Sequence, residues 1–425
     1  MSEYLYILIF LLTLLLATTN MVPMSLAALI GALVMAWFGL DRGLFTYEEA
    51  LSFIDFKLLG LLIGFMIFME VTERSGIFRA LALHAVNFAG NNPKRLFFTV
   101  CFTSAAMSMF LSDQPAILLI VATMAVVTRL TGLDPTPYFI SATIMVNLGG
   151  TSTLMGSTSN IVIGTKSGLS FNDFITGLLP CEITLWILTA LTLYYYYKPR
   201  LEVVHSEDKS ITHYDPWTAV EDRKQFYLSI VLLVLLFALL ISAEHLGVGP
   251  EAIAIGFAIL ALALSKSDTS EIFGHLDWDT IFFLAGFFFI VEGLKKTGFL
   301  ASLSPQILAI SGGNIVSLTL LTLWFSGIGS MVLSNTVVAL SFIPILEGIN
   351  LSNSVHPWMA LILGTNLGGA ATPVSGAVVI MAMGALKQEG VTVSFNEFSK
   401  PGILTSLVQL AFSTAYLILR FGWRW

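Results

Sequence analysis

Two stretches of this sequence, Asn147-Leu-Gly-Gly-Thr-Ser-Thr153 and Asn366-Leu-Gly-Gly-Ala-Ala-Thr-Pro373, interrupt long apolar segments with paired glycines and polar side chains. Paired glycines weaken a helix and let the backbone approach a ligand closely. Lipid offers no hydrogen-bond partners, so irregular backbone at membrane depth persists only where protein buries it or where it lines a wet cavity. The two stretches therefore predict two broken membrane-spanning helices that frame a binding site.

The composition of the chain also indicates a membrane protein. Of its 425 residues, 56% are hydrophobic and 11% are charged, and the mean hydropathy is +0.85, whereas soluble domains are about 25% charged. The net charge of −7 leaves no basic face for nucleic acid. Two cysteines, Cys101 and Cys181, and six scattered histidines show no metal-ligand or catalytic spacing. We therefore expect no metal, no cofactor and no enzyme activity.

The sequence contains an ordered internal repeat. Phe53-Ile-Asp-Phe56 recurs as His275-Leu-Asp-Trp278, displaced by 222 positions, the difference between 275 and 53. Leu111-Ser-Asp113 recurs at the same displacement as Leu333-Ser-Asn335. The two glycine-rich stretches match with a slip of a few residues, so chance does not explain the series. The repeat predicts two structurally related halves.

Each half is predicted to contain five crossings and one re-entrant hairpin. Because five is odd, the second half enters from the opposite face, as in the inverted repeats of alternating-access transporters. The predicted fold is an all-α polytopic membrane protein with two inverted repeats of five transmembrane helices, each with one re-entrant hairpin and one broken helix. The halves are residues 1–197 and 226–425, and a cytoplasmic linker at 198–225 joins them. The predicted crossings are 4–20, 24–40, 56–72, 138–165 and 175–197, then 226–242, 249–265, 280–294, 357–385 and 402–421, with hairpin arms at 95–111 and 115–131 and a second hairpin at 315–346.

The basic residues predict the orientation of this layout in the membrane. Thirteen of the 20 Lys and Arg residues fall in loops on one side, which the positive-inside rule assigns to the cytoplasm. Both termini then face outward across an inner membrane. Glu70 and Glu292, each beside basic residues at a span end, are expected to form interfacial ion pairs. Glu182, early in the fifth crossing, is expected at the interface too.

The candidate site combines hairpin tips and helix breaks from both halves. Broken helix ends expose amides, which suit an anion or a hydroxylated solute, and carbonyls, which suit a cation. The alternative is that these small residues only allow close helix packing. The predicted binding residues are Ser112, Asp113, Gln114, Asn147, Gly149, Gly150, Thr151, Thr153, Ser334, Asn335, Thr336, Asn366, Gly368, Gly369 and Thr372.

Asp113 is the most distinctive of these residues. A carboxylate at membrane depth is costly and usually marks an ion or proton path, and the repeat counterpart of Asp113 is the neutral Asn335. We expect Asp113 to bind and release the coupling ion, H⁺ or alternatively Na⁺. The other interpretation is a helix N-cap at the hairpin turn, and the two roles can coexist.

The order of the motifs resembles the ion transporter superfamily, which includes arsenite permeases, the melanosomal P protein, sodium/proton antiporters and sodium-coupled dicarboxylate carriers. The matching residues are the tip Ser334-Asn-Thr336, the run Asn147-x-Gly-Gly-Thr-x-Thr-Leu-x-Gly156 and Gly168-Leu-Ser-Phe171. In the dicarboxylate branch the Ser-Asn-Thr tips of both hairpins bind substrate and sodium. Ser112-Asp-Gln114 departs from that motif at two of three positions, and the segment Val146 to Phe174 looks most like the arsenite permease and P-protein branch.

This resemblance implies an elevator-type, homodimeric carrier that exports arsenite or antimonite in exchange for protons. It also implies a cytoplasmic ATPase partner, as in arsenical pumps. A solute that is largely uncharged at neutral pH needs hydroxyls, amides and backbone groups rather than arginines. The alternatives are a sodium/proton antiporter, and a sodium- or proton-coupled carrier for dicarboxylate or citrate-like anions. A passive channel is the alternative from a different class.

Overall fold

The structure, a computed structural model, describes residues 2–18, 22–90, 92–111, 113–201, 215–265, 267–349, 354–388 and 390–421. All regular elements in these residues are helical. The helices of the first half are α1 (Ser2–Thr18), α2 (Met24–Asp41), α3 (Tyr47–Leu51), α4 (Phe56–Arg74), α5 (Ile77–Ala89), α6 (Pro93–Ser108), α7 (Asp113–Thr131), α8 (Pro135–Gly149), α9 (Thr158–Ser167), α10 (Phe171–Asp173) and α11 (Leu179–Leu201). Those of the second half are α12 (Arg223–Leu246), α13 (Pro250–Leu264), α14 (Thr269–Gly274), α15 (Trp278–Lys296), α16 (Phe299–Ile310), α17 (Ile315–Ser330), α18 (Asn335–Gly348), α19 (His356–Gly368), α20 (Ala377–Gln388) and α21 (Phe395–Phe421). Short 3₁₀ turns occupy Gly150–Ser152 and Pro216–Ala219, and a π-helical segment, Phe174–Leu178, joins α10 to α11.

Repeated residues determine where equivalent helices begin. Asp55 caps α4 and Asp277 caps α15, each by accepting a hydrogen bond from the backbone amide three residues later, at 3.1 and 3.0 Å. Such a cap satisfies one of the amides that the first helical turn leaves without a partner. Gly76 and Gly298 precede α5 and α16 with φ of 83° and 79°, a left-handed conformation that favours glycine. The residues that revealed the repeat therefore mark real helix starts.

Several of the helices can cross a membrane unaided. The five that are long and apolar enough are Met24–Asp41, Tyr47–Arg74, Phe171–Leu201, Arg223–Leu246 and Phe395–Arg420. The bent pair Ser302–Ile310 and Ile315–Ser330, which turns by 103°, would make a sixth as one span. The other predicted crossings consist of shorter or more charged helices, and α8 with α9 and α19 with α20 are the two broken helices that the sequence predicts.

Two helices were not predicted from the sequence, and one residue is more buried than expected. The counterparts α5 and α16 lie between a crossing and a hairpin arm and were not predicted, because each is too short to satisfy a span criterion. Glu182, expected at the interface, is fully buried among the helices; position along a span does not reveal which face neighbouring helices cover. The expected ion pairs are confirmed, with Arg74 Nε 2.8 Å from Glu70 Oε1 and Lys295 Nζ 2.7 Å from Glu292 Oε1.

Two symmetric ion pairs demonstrate that the halves are inverted. Arg74 at the end of α4 pairs at 3.0 Å with Glu271 in α14, which directly precedes α15. Lys296 at the end of α15 pairs at 2.7 Å with Glu49 in α3, which directly precedes α4. Each residue of one pair is displaced by 222 positions from its counterpart in the other. The end of each helix therefore lies beside the start of its counterpart, and α4 and α15 run antiparallel.

The halves also interlock through two equivalent glycines. α4 packs against α13 of the other half, and α15 packs against α2. A Cβ added to Gly64 would lie 2.7 Å from the carbonyl carbon of Ala254, and one added to Gly286 would lie 2.8 Å from that of Ala28. Real Cβ atoms do not come this close to backbone, so each glycine permits a helix contact that any side chain would separate. These four helices form a body that we call the frame.

We expect Gly64→Ala and Gly286→Ala each to lower the melting temperature of the detergent-purified protein. An extra methyl group against backbone costs about 1–3 kcal/mol in overpacking. The matched control is Gly256→Ala in α13, where the new methyl group meets nothing within 4 Å, and helix propensity alone should stabilise it by about 0.5–1 kcal/mol. Equal melting temperatures for all three variants would contradict the packing described here.

Candidate solute-binding site

In both broken helices, the first segment ends at a glycine that packs against a hairpin arm. α8 ends at Gly149 and α19 ends at Gly368. A Cβ on Gly149 would lie 2.1 Å from the carbonyl oxygen of Ala105 in α6, and one on Gly368 would lie 2.1 Å from that of Gly327 in α17. These two glycines therefore serve close packing, so the case for a binding site rests on the polar residues beside them.

Four asparagines, two from each half, form one hydrogen-bonded chain, which we call the asparagine chain. Asn335 Nδ2 lies 3.4 Å from Asn147 Oδ1, and Asn147 Nδ2 donates to the Asn366 carbonyl oxygen at 2.5 Å. Asn366 Nδ2 donates to Asn160 Oδ1 at 2.8 Å. The last three residues are at most 3% exposed. Because paired polar networks make a core rigid and specific, this chain holds both helix breaks and the second hairpin tip together.

The backbone carbonyls at the breaks also find partners within the protein. Asn160 Nδ2 donates to the carbonyl oxygen of Gly150 at 2.9 Å. In the second half, the Ser375 hydroxyl donates to the carbonyl oxygen of Gly369 at 2.9 Å. The two carbonyls are repeat counterparts, but the two donors are not. The carbonyls that were expected to hold a cation therefore each accept a protein hydrogen bond already.

Two threonines of the predicted site join each break to the adjacent hairpin. Thr153 Oγ1 donates to the Met109 carbonyl oxygen at 2.7 Å, and its counterpart Thr372 donates to the Met331 carbonyl oxygen at 2.6 Å. Both acceptors lie in the turns that lead into the hairpin tips. These hydroxyls hold each tip against its own helix break, so their direct role is to position the tips.

A cavity of about 240 Å³ opens beside the asparagine chain. Its polar lining includes Asn147 and the second hairpin tip, Ser334, Asn335 and Thr336, and the first hairpin contributes Pro115. A water molecule occupies about 30 Å³ in the liquid, so the cavity has room for a small solute and a few waters. Amide and hydroxyl groups there can both donate to and accept from such a solute.

The same cavity has an acidic part at the end of α4 and the start of α15. Glu70, Glu73, Asp277 and His275 line it. Among the described residues that line the cavity, none is Lys or Arg, and the nearby Arg74 is engaged by carboxylates. A cleft with carboxylates and no fixed cation focuses negative potential, which attracts cations and repels anions.

The structure places the predicted site residues in three groups. Those that line the cavity are Asn147, Ser334, Asn335 and Thr336. Those buried in the walls behind it are Gly149, Gly150, Thr151, Thr153, Asn366, Gly368, Gly369 and Thr372. Ser112 lies outside the described residues, and so do the side chains of Asp113 and Gln114, with which α7 begins.

Sequence reasoning missed several residues that shape the site. Asn160 stands inside the predicted crossing 138–165, so a search for amides within crossings could have found it. Asp277 was used to detect the repeat, and Glu70 was assigned to an interfacial pair, but neither was expected in a cavity. Only the antiparallel arrangement of α4 and α15 brings the end of one helix beside the start of the other.

A helical membrane protein with two inverted halves and a polar cavity between broken helices and hairpin tips is a solute transporter. This chain belongs to the citrate transporter family, whose family model matches residues 10–359.

Similar proteins agree with that assignment. The chain is 29% identical over 377 residues to a protein of Mycobacterium tuberculosis described as an uncharacterized transporter, with 87% of each chain covered. It is 24% identical over 368 residues to the arsenical pump membrane protein of Escherichia coli K12, which covers 84% of this chain and 85% of that one. The structure of the YdaH transporter of Alcanivorax borkumensis matches with a TM-score of 0.64 at 16% identity, over 100% of this chain and 99% of that one. The resemblance to the ion transporter superfamily is confirmed, and the family consists of transporters rather than enzymes.

We expect Asn160→Asp to destabilise the protein severely. The substitution replaces an amide donor by an ionised oxygen that faces backbone carbonyls at 2.9 and 2.7 Å, and an unpaired buried charge costs about 3–5 kcal/mol. The readout is the yield of monodisperse protein and its melting temperature. Asn172→Asp is the matched control, because Asn172 is a similar donor to a carbonyl, at 2.9 Å, but is exposed. The role given to Asn160 would be wrong if both variants behaved alike.

Proposed function

We propose that this transporter exports arsenite or antimonite in exchange for protons. The observation that carries the proposal is the chemistry of the cavity lining, which offers amides and hydroxyls with no lining Lys or Arg among the described residues. Arsenite is largely uncharged at neutral pH and presents hydroxyl groups, which such a lining can hold by hydrogen bonds alone. The similarity to a relative described as an arsenical pump membrane protein supports this cargo.

Electrostatics weighs against a free citrate-like anion in this cavity. Two like charges 4 Å apart near a protein surface repel each other by about 4 kcal/mol. A tricarboxylate beside Glu73 and Asp277 would meet that repulsion, whereas the charge of Glu70 is compensated by Arg74 at 2.8 Å. A citrate-like or dicarboxylate anion accompanied by bound cations is the second candidate, because the family is described as citrate transporters and the tip Ser334-Asn-Thr336 is present. A sodium/proton antiporter is the third, because the acidic part of the cavity attracts cations.

Asp113 is the proposed coupling group, with H⁺ as the coupling ion and Na⁺ as the alternative. It begins α7 at the tip of the first hairpin, and Pro115, two residues later, lines the cavity. A carboxyl group at this position can take a proton from the cavity and return it, which is what exchange against a neutral solute requires.

The remaining parts of the proposal concern assembly and place in the cell. The protein lies in the inner membrane with both termini outside, because most of its basic loops then face the cytoplasm. It moves by an elevator-type mechanism as a homodimer, and a cytoplasmic ATPase is a proposed partner as in arsenical pumps. These features follow from the superfamily resemblance. The boundaries 1–197, 198–225 and 226–425 stay predictions, and residues 202–214 of the linker lie outside the described chain.

We expect cells that produce this protein to tolerate more antimonite and arsenite than cells without it, and Asp113→Asn to abolish the difference, because an amide cannot carry the proton. Asn335→Ala should reduce proton-driven antimonite flux in everted vesicles about tenfold, since it removes a partly buried amide that lines the cavity, and a lost hydrogen bond costs about 0.5–1.5 kcal/mol. Ser242→Ala, at an exposed serine, is the control and should match the wild type.

The same vesicles distinguish the other candidates. Uptake of citrate or a dicarboxylate driven by sodium alone, with no antimonite flux, would replace the proposal by the second candidate. Sodium-driven proton movement without either solute would favour the antiporter. Flux that needs no ion gradient and is unaffected by Asp113→Asn would indicate a channel.

A further inference from the structure

One ion pair joins the broken helices to the frame on the side away from the acidic part of the cavity. Lys166, the second-last residue of α9, places Nζ 2.8 Å from Asp55 Oδ2 at the start of α4. The two side chains are 19% and 21% exposed. The ammonium group also lies 5.0 Å from the ring centroid of Phe288 in α15. Lys166 therefore fills the space between α9 and two frame helices, and it closes the protein there.

The repeat counterparts of Asp55 and Phe288 border an open space instead of a filled one. Displaced by 222 positions, Asp55 corresponds to Asp277 and Phe288 corresponds to Met66. Both counterparts line the open cavity. Lys166 therefore occupies the space beside Asp55 and Phe288 at one end of the frame, whereas the equivalent space at the other end belongs to the cavity.

The counterpart of the lysine is also present in the sequence. Lys387 is the second-last residue of α20, as Lys166 is of α9, and the two lie 221 positions apart. Lys387 is exposed, and no ion pair joins it to Asp277, although the structure describes both residues. The first turn of α20 borders the cavity through Val378 and Ile380, and Lys387 lies two turns further along the same helix.

The contacts of α9 and α20 differ in the same way. α9 packs against α18, α19 and the frame helix α4. Its counterpart α20 packs against α7 and α8, which are the counterparts of α18 and α19. The remaining equivalent contact, of α20 with α15, is not among the close helix contacts of the described residues. The asparagine chain joins α8, α9, α18 and α19, and α20 packs against α8, so α9 and α20 belong to one packed body.

We propose that Lys387 pairs with Asp277 when access reverses, and that this pair then seals the face that is open now, as the Lys166 pair seals the other. A movement of the asparagine-chain body along the frame breaks one pair and makes its counterpart, so the two pairs form in turn. Lysine and aspartate suit this task because a partly exposed ion pair contributes little net free energy, which lets it form and break readily. The inference rests on the transporter class and on movement between two bodies; it does not depend on the cargo.

Chemical cross-linking tests the exchange without any solute. The background is Cys101→Ala with Cys181→Ala, since both native cysteines are buried and neither belongs to a pair. Two double-cysteine variants are compared in membranes with a bifunctional methanethiosulfonate reagent about as long as a lysine–aspartate pair. D55C with K166C reports the pair seen here, and D277C with K387C reports the proposed one.

We expect both variants to cross-link. Adding K166Q to the second variant removes the competing pair, and the yield should rise about fivefold, the population change expected when a partly exposed ion pair is lost. D55C with K387C is the matched control and should not cross-link, because the two positions lie at opposite ends of the frame. The proposal fails if positions 277 and 387 never cross-link, if K166Q leaves their yield unchanged, or if positions 55 and 166 do not cross-link. A chain that cross-links as expected but moves no antimonite would refute the proposed cargo alone.

Discussion

The structure depends on keeping backbone hydrogen bonds satisfied where two helices break inside a protein that lipid surrounds. Water cannot supply the missing partners at that depth, and each unpaired carbonyl would cost about 1–3 kcal/mol. Asn160 in one half and Ser375 in the other donate to equivalent carbonyls. Because two different side chains meet the same demand, the constraint acts on the backbone rather than on residue identity. Once it is met, the breaks can present amides and hydroxyls to a solute without unfolding.

Because the repeat is inverted, equivalent contacts are present at both ends of the frame. The equivalent contacts of Gly64 and Gly286 and the equivalent ion pairs of Arg74 and Lys296 are present in both halves, so the frame is symmetric. α9 packs closely against α4, whereas the described residues of α20 and α15 form no comparably close contact. In the proposed reverse state the body packs against the other end of this frame, where the equivalent residues are present.

The features that could be predicted from the sequence were those determined by residues close together along the chain. Span positions, both helix breaks and the repeat follow from hydrophobic runs, paired glycines and recurrent motifs, and Asp55 and Asp277 do begin helices. The partners across the asparagine chain could not be predicted, since Asn147 and Asn366 are 219 positions apart and nothing local records their contact. The burial of Glu182 and the acidic part of the cavity were missed for the same reason. Both depend on which helices lie side by side.

The two hairpin tips differ at the position that we propose couples transport to an ion, which is Asp113 in the first tip and Asn335 in the second. If both tips carried asparagine, the halves would offer the same neutral groups to either side, and no ion would be tied to the movement of the body. Asp113, the repeat counterpart of Asn335, replaces that neutral group by an ionisable one, and Pro115, two residues later, lines the cavity. A neutral carboxyl group crosses a low-dielectric frame at much less cost than a charged one. In the proposed exchange, movement of the empty body is therefore favoured when Asp113 holds a proton. A single carboxyl group on one tip is thus the group to which we assign the coupling.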